Sequence, residues 1–168
     1  MHFYGIIKKR KSGDLMTEKM KIIDFLRENQ LDAIFVQKDE NCRYLSKFTG
    51  SDSYLLLTKE ELYLLTDSRY TEQARKEVAD YTVVDYKGHL AEIVAKLAGE
   101  YHIKTMGVET VFSYQMYLSF HEYMPNIEFR FSQIDRLRQI KSEEEISCIK
   151  EACRISDSGF KATIPFIR

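Results

Sequence analysis

The sequence predicts an α/β fold, a mixed β-sheet flanked by helices, with one further helix trailing at the C-terminal end. Three observations predict it. Short continuous apolar runs such as Ala33 to Val36 alternate with longer segments whose apolar residues recur at helical spacing. Two β-prone runs, residues 53–58 and 61–67, are separated only by Lys59 and Glu60, which reads as a hairpin and places an antiparallel member in the sheet. With 44% apolar and 30% charged residues, and only 7 Gly and 2 Pro in 168, the chain can build a core and has little room for disordered linkers.

Residues 1–15 stand apart as a leader with the basic run Lys8 to Lys11, expected to be disordered or extraneous, and Met16 could equally serve as the start. Residues 17–29 form an amphipathic helix with Met20, Ile22, Ile23, Phe25 and Leu26 on one broad face. Residues 33–37 are a strand buried on both faces, and residues 41–48 are one or two helical turns. After the hairpin, Asp67 or Ser68 is expected to cap a helix carrying Tyr70, Ala74 and Val78 on one line. Strands at 82–86, 105–109 and 127–131 then alternate with helices at 89–101 and 113–124, the latter stopped by Pro125. The helix from Leu90 to Tyr101 has the clearest apolar periodicity in the chain. Finally, Ser142 and Glu145 have the spacing of a capping box, which opens a helix of roughly twenty residues with the stripe Ile146, Ile149, Ala152, Cys153, Ser156 and Phe160.

Charge and composition exclude several classes. Lys and Arg number 25 against 26 Asp and Glu, a net charge of −1, which leaves no general attraction for nucleic acid or an anionic membrane. No window approaches the 18 or so apolar residues of a membrane span. Three cysteines without CxxC spacing argue against a secreted disulfide framework and place the chain in a reducing cytoplasm. Cys148 and Cys153, five apart on the last helix, are expected as buried thiols. His2, His89, His102 and His121 are scattered and form no i, i+4 zinc pair, and His121-Glu122 are adjacent on a helix and point about 100° apart. The 10 Phe and 11 Tyr read as core faces rather than base-stacking platforms. A nuclease built on carboxylates would need Asp67, Asp85 and Glu109 to converge, and nothing in their spacing brings them together.

Four segments in order go further: NCRYLSKFTGS at 41–51, LLTDSRYTEQA at 64–74, MGVE at 106–109 and RLRQIKSEEEISCIKEACRISD at 136–157. Together they resemble the amino-terminal domain of the creatinase, prolidase and aminopeptidase P family, over about residues 17–168. The resemblance implies a sheet similar to ribonuclease H in residues 16–138, with residues 139–168 as the first helix of a catalytic domain that this chain lacks. It also implies that the full-length parent holds two divalent ions (Mn, Co or Zn) on two Asp, a His and two Glu, generating hydroxide for hydrolysis. In the family the two Asp lie eleven apart, and no Asp here has another eleven positions later. The chain is therefore expected to carry no catalytic residue and no metal, as the non-catalytic portion of an Xaa-Pro aminopeptidase or dipeptidase. Its implied role is to form subunit contacts in a homodimer or higher oligomer and to limit the cleft to short Xaa-Pro peptides. A stand-alone interaction or ligand-binding module, or a pseudo-enzyme of the same fold, is the alternative. Asp67, Arg69, Tyr70 and Tyr44 are the candidates for cleft or interface contacts. Their plainer reading makes Asp67 a helix cap and pairs Arg69 with Glu72 or Glu77. The family tends to have glycine where Lys47 and Ser53 stand, so Lys47 is expected either to change the loop shape or to mark a tolerant surface loop.

Overall fold

The computed structural model describes residues 12–167, with side chains from Lys19 onward. Residues 1–11 of the expected leader lie outside that range. The elements are α1 (Ser12–Glu28), β1 (Ala33–Val36), α2 (Asp39–Ser46), β2 (Ser53–Thr58), β3 (Leu62–Thr66), α3 (Thr71–Glu77), β4 (Thr82–Asp85), α4 (Leu90–Glu100), β5 (Thr105–Val108), α5 (Tyr114–Tyr123), β6 (Glu128–Phe131) and α6 (Glu143–Thr163). Short 3-10 turns cover Ile134–Arg138 and Ile164–Phe166. Compared with the sequence reading, α1 starts five residues earlier and α3 three residues later than Ser68.

The six strands form one sheet in the order β4-β3-β2-β1-β5-β6. β2 runs antiparallel to both β1 and β3, whereas β3–β4, β1–β5 and β5–β6 are parallel. The hairpin is therefore what reverses an otherwise parallel sheet. Its turn contains no glycine because Thr58 supplies the closure. The Thr58 hydroxyl accepts the N–H groups of Glu60 and Glu61 at 3.2 and 2.8 Å and donates to the Glu61 carbonyl at 2.9 Å.

Strands β1 to β3 are central, and helices cover both their faces, which is why they read as unbroken apolar runs. Phe35, Leu56, Tyr63, Leu65 and Met106 point to one side, where they pack with Val94, Leu97 and Ala98 of α4, Phe120 of α5 and Met124 just after it. Ile34, Leu55, Leu57 and Leu64 take the alternate positions, and they are fully buried with Ile22 and Leu26 of α1.

Two carboxylates fix the parallel β1–β5 pair at its opposite ends. At the start, Asp32 accepts the N–H groups of Lys104 and Thr105, the Thr105 hydroxyl and the Lys59 ammonium, all within 3.2 Å. At the other end Glu109, only 3% exposed, accepts the N–H groups of Gln37 and Lys38 at 2.5 and 2.8 Å and the side-chain amide of Asn41. Those donors sit at the entrance to α2, so the buried charge meets unsatisfied N–H groups at a helix start.

The residues fall into two compact units, one ending at Ile134 and the other beginning at Asp135. The second consists of a 3-10 turn, α6 and its terminal turn. α6 carries the expected capping box: Ser142 Oγ accepts the Glu145 N–H at 3.2 Å, and Glu145 Oε2 accepts the Ser142 N–H at 2.8 Å. No residue of α6 is buried. Cys148 and Cys153 are consequently exposed, against the expectation of buried thiols, while Cys42 is buried and its Sγ faces the carbonyls of Val36 and Ser53.

Candidate functional site

The C-terminal ends of the parallel strands gather at one edge of the sheet, where open α/β folds present their loops to ligands. The candidate site lies there, in the loop after α2 (residues 47–52) and the loop after β3 (residues 67–70). These two loops meet because β2 and β3 are hydrogen-bonded in the register Ser53↔Thr66.

The order starts at Lys47. It terminates α2 in the left-handed conformation, φ 62°, and its N–H donates to the Arg43 carbonyl at 2.9 Å. The loop thus turns through the left-handed conformation that glycine favours, held here by a lysine. The Lys47 ammonium lies 4.6 Å from the Tyr44 ring centroid, which places Tyr44, half-buried on α2, beside the same turn. Gly50 follows at a close approach: a Cβ there would lie 2.4 Å from the Phe48 ring and 3.2 Å from the Tyr70 ring. Phe48 and Tyr70 meet edge to face at 6.4 Å, and the hydroxyls of Tyr70 and Ser51 are 3.0 Å apart.

Asp67, Arg69 and Asp52 form the charged part. Asp67 Oδ1 accepts the Arg69 N–H at 2.8 Å, and the Asp67 carboxylate also receives the Arg69 guanidinium through Nε and Nη2. Arg69 Nη2 reaches Asp52 Oδ2 as well, at 2.9 Å. The Arg69 hydrogen bond holds Asp67 below the usual carboxylate range, and the same bond pushes Arg69 further up. Asp67 therefore folds its own loop instead of capping α3, whose N-cap is Tyr70 with no side-chain hydrogen bond. Arg69 pairs with neither Glu72 nor Glu77. Glu72 takes Lys76, and Glu77 accepts from the Thr49 N–H and hydroxyl and from Gln73. Burial raises the Glu77 carboxyl, but the hydrogen bonds from Gln73 and Thr49 outweigh it and leave it lowered.

Sequence reasoning identified Asp67, Arg69, Tyr70 and Tyr44, and the structure places them along this one edge. It missed Asp52, whose φ of 51° aims its carboxylate at Arg69. The available signal was an Asp between two serines just ahead of a strand, a composition that tolerates the left-handed region. It also missed the role of Glu109, which looked like one of three strand-end acids. Glu109 is engaged by α2 and Asp85 by the Lys87 N–H at 2.9 Å, so the three do not converge.

Chemically, the edge can orient and exclude but holds no paired nucleophile and base. The Arg69 charge is balanced by two carboxylates, and the edge also carries the exposed Lys47 ammonium, the Ser51 hydroxyl and the half-buried Tyr70 phenol. Among the described residues no group of three or more His, Cys, Asp and Glu could hold a metal ion. None of the described helices is long and apolar enough to cross a membrane.

Comparison with known proteins agrees with the architecture. A model of the Creatinase/Prolidase N-terminal domain matches residues 20–140. The Xaa-Pro dipeptidase of Pyrococcus horikoshii is 32% identical over 157 residues, which span 90% of this chain and 43% of that protein. The solved Xaa-Pro dipeptidase from Bacillus anthracis superposes with a TM-score of 0.85 at 31% identity, covering 92% of this chain and 44% of that one. The N-terminal domain of the cytoplasmic peptidase PepQ from Mycobacterium tuberculosis superposes at 0.66 with 26% identity, covering 72% of this chain and 98% of that structure. The chain spans about two fifths of the length of the curated relatives it matches.

Proposed function

The chain belongs to the creatinase/prolidase N-terminal domain family, and from that premise we propose that it serves as the non-catalytic N-terminal domain of a cytoplasmic Xaa-Pro dipeptidase or aminopeptidase. The observation that carries this reading is the match itself: most of the chain aligns to an N-terminal domain, and it spans only about two fifths of its peptidase relatives. The two divalent ions expected of the full-length parent do not suit the side chains here. Their donors would be clustered carboxylates and a histidine, whereas no such cluster exists among the described residues, and the acids at this edge, Asp52, Asp67 and Glu109, are engaged by Arg69 and by backbone N–H groups. No step of peptide hydrolysis is routed through this chain.

What this chain contributes is shape and restraint. In the proposed role the loop edge bearing Tyr44, Asp67, Arg69 and Tyr70 borders the cleft of its own or a neighbouring subunit in a homodimer or higher oligomer, and admits only short peptides with proline second. Two properties support it. The Asp52–Arg69–Asp67 arrangement fixes the loop before any ligand arrives, and the two carboxylates balance the guanidinium so that Arg69 has no spare charge for a peptide carboxylate.

The test is direct. Purified chain incubated with Xaa-Pro dipeptides and Xaa-Pro-Yaa tripeptides in the presence of Mn²⁺ or Co²⁺ is expected to release no N-terminal residue Xaa above the buffer rate. Turnover that co-purifies with the chain and is abolished by a chelator overturns the reading.

A further inference from the structure

The two edges of the sheet are not equivalent. β4 is edged by polar residues and half-buried valines, whereas β6, Glu128-Phe129-Arg130-Phe131, stands beside exposed aromatic surface. Phe131 is 59% exposed, and along α5 Tyr114, Tyr117 and His121 stack face to face, with Tyr117 packed edge-on to Phe129. The N–H groups of Glu128 and Ser132 donate inward, to the Lys104 and Val108 carbonyls, each at 2.8 Å. Because successive backbone groups alternate sides, the N–H and C=O of Phe129 and Phe131 point away from the sheet along an open edge.

We propose that this edge pairs antiparallel with β6 of a second copy of the chain, about a two-fold axis at Phe129. Three physical constraints lead to that register. A two-fold axis normal to the sheet keeps residues of one face opposite residues of the same face, so each pair of opposed positions must sum to twice the central one. Centring on Phe129 makes Phe129 and its copy a hydrogen-bonded pair using the outward groups, and sets Phe131 opposite Ile127. It also sets Glu128 opposite Arg130 of the second copy, twice, at the close non-hydrogen-bonded positions where side chains interact most strongly. Within one copy Arg130 already holds Glu128 through two 2.8 Å hydrogen bonds. Pairing converts these two ion pairs into a ring of four alternating charges. Moving the axis one residue, to Arg130, puts two arginines opposite each other. Charges on an edge strand ordinarily prevent pairing; here reversal of chain direction makes them complementary.

This inference rests on the sheet unit alone and does not use the peptidase reading. Sedimentation equilibrium of the full chain from 1 to about 300 μM is expected to show a reversible monomer–dimer equilibrium. Arg130→Glu and Glu128→Arg, each with far-UV circular dichroism matching the wild type, should each weaken dimerisation at least about tenfold, since each change turns both cross-strand pairs repulsive. The double exchange E128R/R130E should restore it. A wild-type chain that stays monomeric throughout overturns the proposal without recourse to any variant. So does a dimer insensitive to the single changes, or a double exchange that does not rescue.

Discussion

At Lys47 a lysine occupies a conformation that costs a residue with a Cβ about 1–2 kcal/mol, at the point where α2 must stop and the loop toward Ser53 must begin. Its compensation is the contact with the Tyr44 ring, worth about 0.5–1 kcal/mol at an exposed site. The strain is the larger effect, although glycine would also add some unfolded-state entropy. Lys47→Gly is therefore expected to stabilise the fold by about 0.5–1 kcal/mol and raise Tm by roughly 1–4 °C, whereas Lys47→Ala, which keeps the Cβ and loses the ring contact, should give no gain. Differential scanning calorimetry of the three proteins decides it. The same residue shows what the sequence leaves illegible. It identifies a missing glycine, but not whether the backbone bends away or accepts strain, because that depends on how firmly Phe48, Gly50 and Tyr70 hold the loop.

Secondary-structure elements were legible wherever one face alone decides. The periodicity of α4 and the continuous runs of β1, β2 and β3 require only that apolar groups be buried, and they lie within a residue or two of their expected spans. The start of α3 was not legible: Asp67 is an excellent cap by type, but it turns back onto the backbone and guanidinium of Arg69, which also reaches Asp52 fifteen residues before Asp67. The β1–β5 junction was equally hidden, since Asp32 and Thr105 meet across 73 positions. Burial raises the Asp32 carboxyl, but hydrogen bonds from Lys104, Thr105 and Lys59 outweigh it and hold it at about 2, against an ordinary 3.8. A lowered carboxyl stabilises the folded state above its unfolded pKa, and that contribution is lost as pH falls through the folded value. Since the side chain is about one-third exposed, solvent screening reduces the contribution to about 1 kcal/mol. Urea unfolding from pH 6 to pH 2.5 should accordingly show the wild type losing more stability than Asp32→Asn between pH 4 and pH 2.5, the two curves converging. Parallel curves would mean that the carboxylate does not hold the strands together.

At the scale of the whole molecule, stability is distributed unevenly. β1, β2 and β3 are buried through nearly every residue, whereas α6 buries none and is sustained by its own hydrogen bonds, its capping box and ion pairs such as Arg154–Glu151. A helix of that length held only by local interactions is marginal in water. Hydrogen exchange followed by mass spectrometry should find the α6 amides exchanged within minutes at neutral pH, while those of β1–β3 stay protected for hours. Comparable protection in both would show that α6 packs more firmly than its exposure indicates. The family and the location of the candidate loops could be read from the sequence because short motifs carry them. The way those loops are tied together could not, because it depends on pairings across the sheet.

The sheet order also sets a schedule for a growing chain. β1 can pair with β2 as soon as the hairpin emerges, but its other side stays bare until β5 is made, about 70 residues later. At roughly 5–20 residues per second of synthesis, the Ala33–Val36 backbone spends several seconds as an open, apolar template before its permanent neighbour exists. The interval in which this molecule is most exposed to misassembly thus falls during its synthesis, well before the folded protein meets any partner.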